Sequence, residues 1–527
     1  MMDPAQALEA KVLSYQKAMN SVIDRFESPV QQFYCGAVVF VTGGSGFLGK
    51  QLVEKLFRAT KISKVFMLLR TKKGKPIEKR LADLLQDPVF DSLRLKQPNF
   101  ADKIVPIEGD VAEIRLGIDD KDWLMMTDEV DIIFHMAATT RFDEELRVAT
   151  LINVRGTREA LALGKACKKL RCFVHVSTAF SHACEDRVLC DVQDEFYPSP
   201  VDPGALIRLV ESTDDSRLND ATPGLIKNWP NTYSFGKAVA EQLVKDMDDE
   251  MPICVVRPAI VIAAYKEPSP GWLDMSNVFG ASGIILGVGL GLMRLLYAKD
   301  ETIISLVPVD YVNNATITAA WETGRRWSDG MKEKKIYPVS TWRNPLLWGR
   351  SFNSGYRFAK KSIHMHCCRP KPTFNTYVYI LLFWITQMIP AYLVDGLCFL
   401  IGKERQFIKI YDKIYKMTQA LGYFTNNHWN FLDKNLATLY DSLDPLDKAI
   451  FNFDVNDIDW TEYIRVWCVG LRKYIIKDGL VGTEKAIKKT KILRIIHYIV
   501  TPLYAYALYK VICTLFYILY YVFSLCF

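Results

Sequence analysis

No Cys-x-x-Cys pair occurs anywhere in this sequence. Its 12 cysteines are scattered, apart from the adjacent Cys367-Cys368, so neither a tetrahedral zinc site nor a disulfide framework is indicated. The run His364-Met365-His366-Cys367-Cys368 carries metal-capable side chains but lacks the separated second pair that a tetrahedral site needs, and no metal is expected. Residues 1–30 lack an apolar core flanked by cations, so a cleaved secretory signal is not expected. Together these absences place the bulk of the chain in a reducing, cytosol-facing compartment. There is no large excess of one charge. A net +7 over 527 residues fits an anionic ligand or an anionic membrane surface and gives no reason to expect nucleic acid. Internal repeats and low-complexity tracts are also missing. With 50% hydrophobic residues, wholesale disorder is excluded. The length calls for two or three folded units, and nothing in the pattern calls for a homo-oligomer.

What is present begins with short apolar runs separated by helical stretches. Ala37–Val41, Lys64–Leu69, Ile104–Glu108, Asp131–His135, Cys172–Val176 and Ile253–Arg257 read as buried parallel strands. The segments 49–58 and 151–169 between them read as helices. Strands alternating with helices predict an α/β, Rossmann-type, doubly wound parallel sheet. Past residue 310 the alternation is expected to fade into a basic, irregular stretch over 325–372, then short helices with aromatic anchors over 407–467.

The first strand ends in Thr42-Gly43-Gly44-Ser45-Gly46-Phe47-Leu48-Gly49 and opens a helix. Gly43 permits a tight turn, Gly46 admits a pyrophosphate at the positive end of the helix, and Gly49 lets the helix pack closely on the sheet. Gly43, Ser45, Gly46, Phe47, Leu48 and Gly49 are therefore the expected dinucleotide contacts. The second strand ends in Leu69-Arg70-Thr71-Lys72-Lys73, with no carboxylate for a ribose 2′-hydroxyl. Arg70 is expected on the 2′-phosphate of NADPH, the alternative being a solvated basic loop. After the third strand, Asp110 and Val111 are placed at the adenine edge, unless Asp110 only forms a turn.

A second constellation is Tyr233-Ser234-Phe235-Gly236-Lys237, preceded by the helix caps Asn231 and Thr232. The spacing puts Tyr233 and Lys237 on one helical face. An adjacent ammonium is expected to draw the phenol's pKa down towards working pH, and Lys237 can also hold the nicotinamide ribose. Upstream, His175-Val176-Ser177-Thr178-Ala179 ends a strand with two hydroxyls. Either can donate to a substrate carbonyl or simply cap the strand end.

Residues 36 to about 315 resemble the extended short-chain dehydrogenase/reductases. The resemblance rests on the 42–49 turn, His135-Met136-Ala137-Ala138, Asn153-Val154-Arg155-Gly156-Thr157, Thr178, and the Tyr233/Lys237 pair. It implies Thr178 rather than Ser177 as the catalytic hydroxyl beside Tyr233 and Lys237. It adds Ala137 and Pro258, the latter in Arg257-Pro258-Ala259-Ile260-Val261, to the cofactor contacts. The later half is similar to the C-terminal domain of alcohol-forming fatty acyl-CoA reductases. The matching stretches are Arg405–Tyr411, Tyr423–Trp429, Phe451–Val455 and Ile458–Trp460. The resemblance implies NADPH-dependent reduction of a long-chain acyl-CoA to a primary alcohol through an enzyme-held aldehyde. The chain departs from shorter superfamily members in the 55 positions between Thr178 and Tyr233, and the Pro-, Asp- and Glu-rich insertion over 184–230 is expected to shape the acyl-CoA entrance. A sterol or sugar-nucleotide dehydrogenase would share the first unit without needing the 395–460 stretch. A non-catalytic dinucleotide sensor would be expected to lose Tyr233 or Lys237.

The expected organisation is an N-terminal arm (1–35), an NADP-binding unit (36–315), a connecting segment (316–372), a helical domain (373–470), a basic linker (471–494) and a membrane-attaching tail (495–527). The tail is long enough to span a bilayer, with cations on its N-terminal side, which predicts an anchor with the catalytic part facing the cytosol. The endoplasmic reticulum is the expected membrane, with peroxisome and lipid droplet as alternatives. Lys510 in the tail allows a hairpin or interfacial helix instead. The apolar stretch 376–401 contains Pro390 and Asp395 and reads as membrane-facing or buried rather than as a second span.

Overall fold

Each predicted strand forms within one residue of its expected bounds. The computed structural model describes residues 2–71, 74–247, 250–278, 280–349, 371–373 and 375–526. Lys72, Lys73 and the run 364–368 lie outside them. The strands are β1 (Val38–Thr42), β2 (Lys64–Leu69), β3 (Ile104–Glu108), β4 (Ile132–His135), β5 (Cys172–Val176), β6 (Ile253–Pro258) and β7 (Lys335–Val339). They build one seven-stranded, all-parallel sheet in the order β7-β6-β5-β4-β1-β2-β3. This is a doubly wound Rossmann-type fold. β1 lies between β2 and β4, so the strand order reverses there, and a ligand crevice opens beyond the strands' carboxyl ends at that point.

β7 departs from the expectation. The alternation continues past residue 310 to this seventh strand, which pairs Lys335–Val339 with Cys254–Pro258. Its flanking charges and Pro338 hide it in the sequence, and its edge position is what makes a proline tolerable.

Helices cover both faces. Those that matter to the site are α1 (Pro4–Ile23), α2 (Phe47–Ala59), α3 (Gly156–Ala166), α4 (Pro203–Ser212), α5 (Asp215–Ile226), α6 (Thr232–Asp246), α7 (Ala281–Gly289) and α8 (Val309–Ser328). After the sheet come α9 (Thr376–Leu400), α10 (Phe407–Asn426), α11 (Trp460–Gly470) and α12 (Thr483–Cys526). α2 lays Leu52, Val53, Leu56 and Phe57 on the sheet within the main core, as its apolar spacing predicts. α10 runs 20 residues, longer than the short helices expected there. Residues 483–494 are the start of α12 rather than a linker, so the basic run is helical and continuous with the tail.

The C-terminal half is locked to the dinucleotide half by a buried ionic knot. Lys55 Nζ lies 2.6 Å from Glu267 and donates to the Ile450 carbonyl at 2.6 Å; Arg58 reaches Glu267 at 2.8 Å and Glu54 at 2.6 Å. Asn314 Nδ2 joins Glu267 to the Asn452 carbonyl. Burial alone would raise the Glu267 carboxyl, but Lys55 and Arg58 hold it down to about 2.

Candidate active site

Gly43, at φ +75°, makes the turn after β1. A Cβ there would sit 2.7 Å from the Ala137 amide nitrogen, and one on Gly49 would sit 2.3 Å from the Gly43 carbonyl oxygen. Both positions are too close for any side chain. Gly46 is the N-cap of α2, and no side chain caps the helix, so its first amides keep their anion-binding character. The Phe47 ring is packed away against Trp272, 5.0 Å between centroids. Thr42 Oγ1 accepts from the Met136 and Ala137 amides, each at 3.2 Å, and ties the turn to the end of β4.

The turn lines a cavity of about 1360 Å³ that reaches every residue expected to touch cofactor or substrate carbonyl. Arg70 lies at its mouth, more than half exposed, with Nη1 3.5 Å from Asp110. Asp110 also accepts from the Ala112 amide at 3.0 Å, so it forms the turn and borders the cavity. Val111, Ala137 and Pro258 line the same space.

Tyr233 and Lys237 stand one turn apart on α6, whose N-cap Asn231 accepts from the Ser234 amide at 2.9 Å. Thr178 is close enough to the Tyr233 phenol to lower its pKa; its Oγ1 accepts from the Phe180 amide at 3.2 Å and donates to the Pro258 carbonyl at 3.4 Å. Ser177 is turned away, its Oγ donating to Glu241 at 2.5 Å. The geometry therefore sets Thr178, and not Ser177, beside the phenol. The electrostatics differ from expectation. Burial pushes the Tyr233 phenol up to about 12, and Thr178 only partly offsets this. Lys237 is not among the groups that lower it, and its ammonium donates to the Val176 carbonyl at 2.7 Å. Burial brings Lys237 itself down to about 8, against the pull of Glu241. The phenol is thus a neutral donor at working pH, suited to giving a proton.

Two profiles described as male sterility protein match this chain, an NAD-binding one over residues 41–316 and a sterile one over residues 386–478. The fatty acyl-CoA reductase wat of Drosophila melanogaster is 36% identical over 96% of this chain and 99% of its own length. The chain belongs to the fatty acyl-CoA reductases. Human fatty acyl-CoA reductase 1 is 36% identical over 89% of this chain and 90% of its own. Among solved structures, the terminal reductase domain of the myxalamid biosynthetic pathway is similar in fold. Its TM-score is 0.57 at 18% identity, covering 85% of this chain and 92% of that one. The reductase domain of a Mycobacterium tuberculosis nonribosomal peptide synthetase gives 0.53 at 18% identity, covering 87% and 96%. The chain is accordingly a reductase with a nicotinamide-dinucleotide-binding domain, and the cavity lies largely within the residues of that domain.

Several residues of the reductase's cavity escape the sequence reading. Lys75 and Arg80 line it beside Arg70, and Arg80 donates to the Arg70 carbonyl, because the 77–84 helix folds back over the end of β2. Glu241, one turn beyond Lys237, is buried and gathers Ser177, Ser181 (3.0 Å), His182 (3.2 Å) and Arg257 (2.6 Å). Arg257 and His182 hold its carboxyl well below the ordinary range although burial alone would raise it. The spacing of four was a signal for Glu241. An aromatic wall also appears. Phe142 stacks near Tyr233 at 6.2 Å and meets Phe424 at 5.2 Å, while Phe180 meets Phe424 at 5.2 Å and Trp429 at 6.1 Å. The C-terminal half thus contributes Leu421, Phe424 and Trp429 to the cavity's apolar lining, which also includes Ala281 and Ile284 of α7.

The 184–230 insertion departs from its expected role. Among the described residues lining the cavity, none comes from it. Its helices α4 and α5 pack Leu206, Ile207, Val210 and Leu218 against Leu146, Val154, Phe235 and Val239. It buttresses α6 from behind because its apolar positions repeat at helical spacing and need a face to bury. No cluster of metal-ligating side chains occurs among the described residues.

Proposed function

We propose that this reductase converts a long-chain acyl-CoA and two NADPH into a primary fatty alcohol, CoA and two NADP⁺, taking up two protons, with the aldehyde held between the two reductions. The supporting observation is a single cavity lined by the glycine turn, by Thr178 and Tyr233, and by an aromatic and aliphatic wall that reaches Tyr233 through Phe142. The turn fits a dinucleotide, since Gly43 and Gly49 leave no room for side chains and α2 begins uncapped. Arg70, Lys75 and Arg80 are the cations that would hold a 2′-phosphate. NADPH, when bound, supplies the hydride for each reduction.

Thr178 and Tyr233 donate hydrogen bonds to the oxygen that becomes negative, first of the thioester and then of the aldehyde. With its pKa raised, Tyr233 remains protonated until that oxyanion forms, then passes its proton across. The hemithioacetal then returns its hydroxyl proton to the Tyr233 phenolate as it collapses to aldehyde, and CoA leaves as thiolate and is protonated from solvent. Lys237 sits one turn along to orient the nicotinamide ribose and restore the Tyr233 proton. Phe142, Phe180, Phe424 and Trp429 exclude water and take the acyl chain.

Two helices, Thr376–Leu400 and Thr483–Ser524, are long and apolar enough to cross a membrane by length and composition. An anchored enzyme with its catalytic part towards the cytosol, on the endoplasmic reticulum, suits a product with little solubility in water. Replacing Tyr233 by Phe tests the chemistry. kcat is expected to fall by about 10²–10⁴-fold while NADPH binding, followed by its fluorescence, is unchanged. Undiminished turnover would sink the mechanism.

A further inference from the structure

Between Thr376 and Leu400 the only charged residue is Asp395. It is buried, and its carboxylate accepts the backbone N–H groups of Gln406, Phe407 and Ile408 at 3.2, 3.1 and 2.9 Å, capping α10. The same side of α9 packs Tyr379, Phe383, Met388 and Ala391 against Leu295 and Tyr411. The opposite side is apolar and open: Tyr377, Leu381, Trp384, Leu393, Leu397 and Leu400 are between 45% and 84% exposed. At 1.5 Å per residue this face is roughly 38 Å long, far larger than the patches soluble proteins leave bare.

α12 meets this helix at its middle. Tyr504 donates its phenol proton to the Ile385 carbonyl at 2.7 Å. Beyond Tyr504, residues 505–524 project away, with Lys510 their only charge. Twenty helical residues extend about 30 Å, the thickness of bilayer hydrocarbon. Lys510 folds back towards Tyr504, its Nζ 5.6 Å from the Tyr506 ring centre, as a cation does when it reaches for the headgroups from just below them. Lys485, Lys488, Lys489 and Lys491 before it, and Lys403 and Arg405 after α9, are exposed.

We infer that α9 lies in the plane of an anionic bilayer, its open face in one leaflet, and that its contact with Tyr504 sets the tail's depth so that 505–524 cross the hydrocarbon. This rests on the membrane attachment proposed above and adds a second, non-spanning element to it. A spanning α9 would carry Asp395 and the packed face into lipid and uncap α10. α10 then runs from the bilayer, where Tyr411 packs on Phe383, to the cavity wall at Leu421 and Phe424.

The full chain, reconstituted in phosphatidylcholine–phosphatidylserine vesicles containing a lipid with a diazirine in its acyl chain, is photolysed and its labelled residues mapped by mass spectrometry. Label on Leu381, Trp384, Leu393 and Leu397 and on 505–524, sparing Tyr379, Phe383 and Met388, is the expected result. Label on both faces of α9 would mean a span and overturn the inference. Label on the tail with α9 bare would overturn it while leaving the tail anchor standing, and no label anywhere would overturn both. None of these outcomes depends on turnover.

Discussion

At the scale of single residues, the division of labour between Tyr233 and Lys237 has a measurable signature. The phenol, raised to about 12, stays protonated across the working range, whereas the buried Lys237 ammonium is lost near pH 8. If the ammonium is needed, activity falls as pH rises through about 8. Glu241 raises the Lys237 pKa, so Glu241→Gln is expected to move that alkaline limb to lower pH. His135 and His175, which also face Lys237, are kept neutral by burial and do not titrate in this window. An unshifted limb in the pH profile of kcat would refute the role given to Glu241. Arg70→Ala is expected to raise KM for NADPH roughly 10- to 100-fold, the worth of one charge-assisted contact, with little change for NADH. Equal effects on the two would refute the 2′-phosphate assignment. Arg70 was legible because it ends a strand where a carboxylate would otherwise stand. Lys75 and Arg80 were not, since only the folding back of the 77–84 helix brings them to the same place.

Elements differ in how plainly their sequences announce them. β1, β2, β4, β5 and β6 are largely apolar runs between turn residues, because a parallel strand inside the sheet is buried on both faces, and β3 at one edge keeps enough of that pattern to be read despite Pro106 and Glu108. β7 carries Lys335 and Pro338 at the sheet's edge and reads as irregular. The partner of α6 was equally hidden. Nothing local in 203–226 says which face of the protein its apolar positions will cover, and they cover α6 rather than the cavity. The glycine turn, by contrast, is dictated by contacts that no other residue survives. Gly49→Ala would place a methyl 2.3 Å from the Gly43 carbonyl oxygen and 2.6 Å from Gly44 Cα, forcing α2 off the turn. NADPH affinity measured by fluorescence quenching is expected to drop about tenfold or more. Unchanged affinity would mean that the turn does not hold the dinucleotide.

On the scale of the whole molecule, the two halves form one cavity because the Lys55–Arg58–Glu267–Asn314 knot fixes the C-terminal half to the helix that follows the glycine turn. Glu267→Gln leaves Lys55 and Arg58 short of a buried counter-charge and is expected to cost about 3–5 kcal/mol, read as a lower Tm. The Glu267 carboxyl is depressed to about 2 in the fold, so its contribution is complete above pH 4.5 and is lost as pH falls from there towards 2. The gap in Tm between parent and variant should therefore close over that interval. No sequence pattern disclosed this knot, since its members are 54–58, 267 and 314, and only the tertiary fold joins them. Two reductions in one cavity fix the stoichiometry of the reaction. Purified full chain in vesicles, given palmitoyl-CoA and NADPH, is followed for NADPH oxidised, CoA thiol released and hexadecanol formed. Two NADPH consumed for each thiol and each alcohol is the expected result. One NADPH per thiol, with free hexadecanal accumulating and no alcohol, would contradict it.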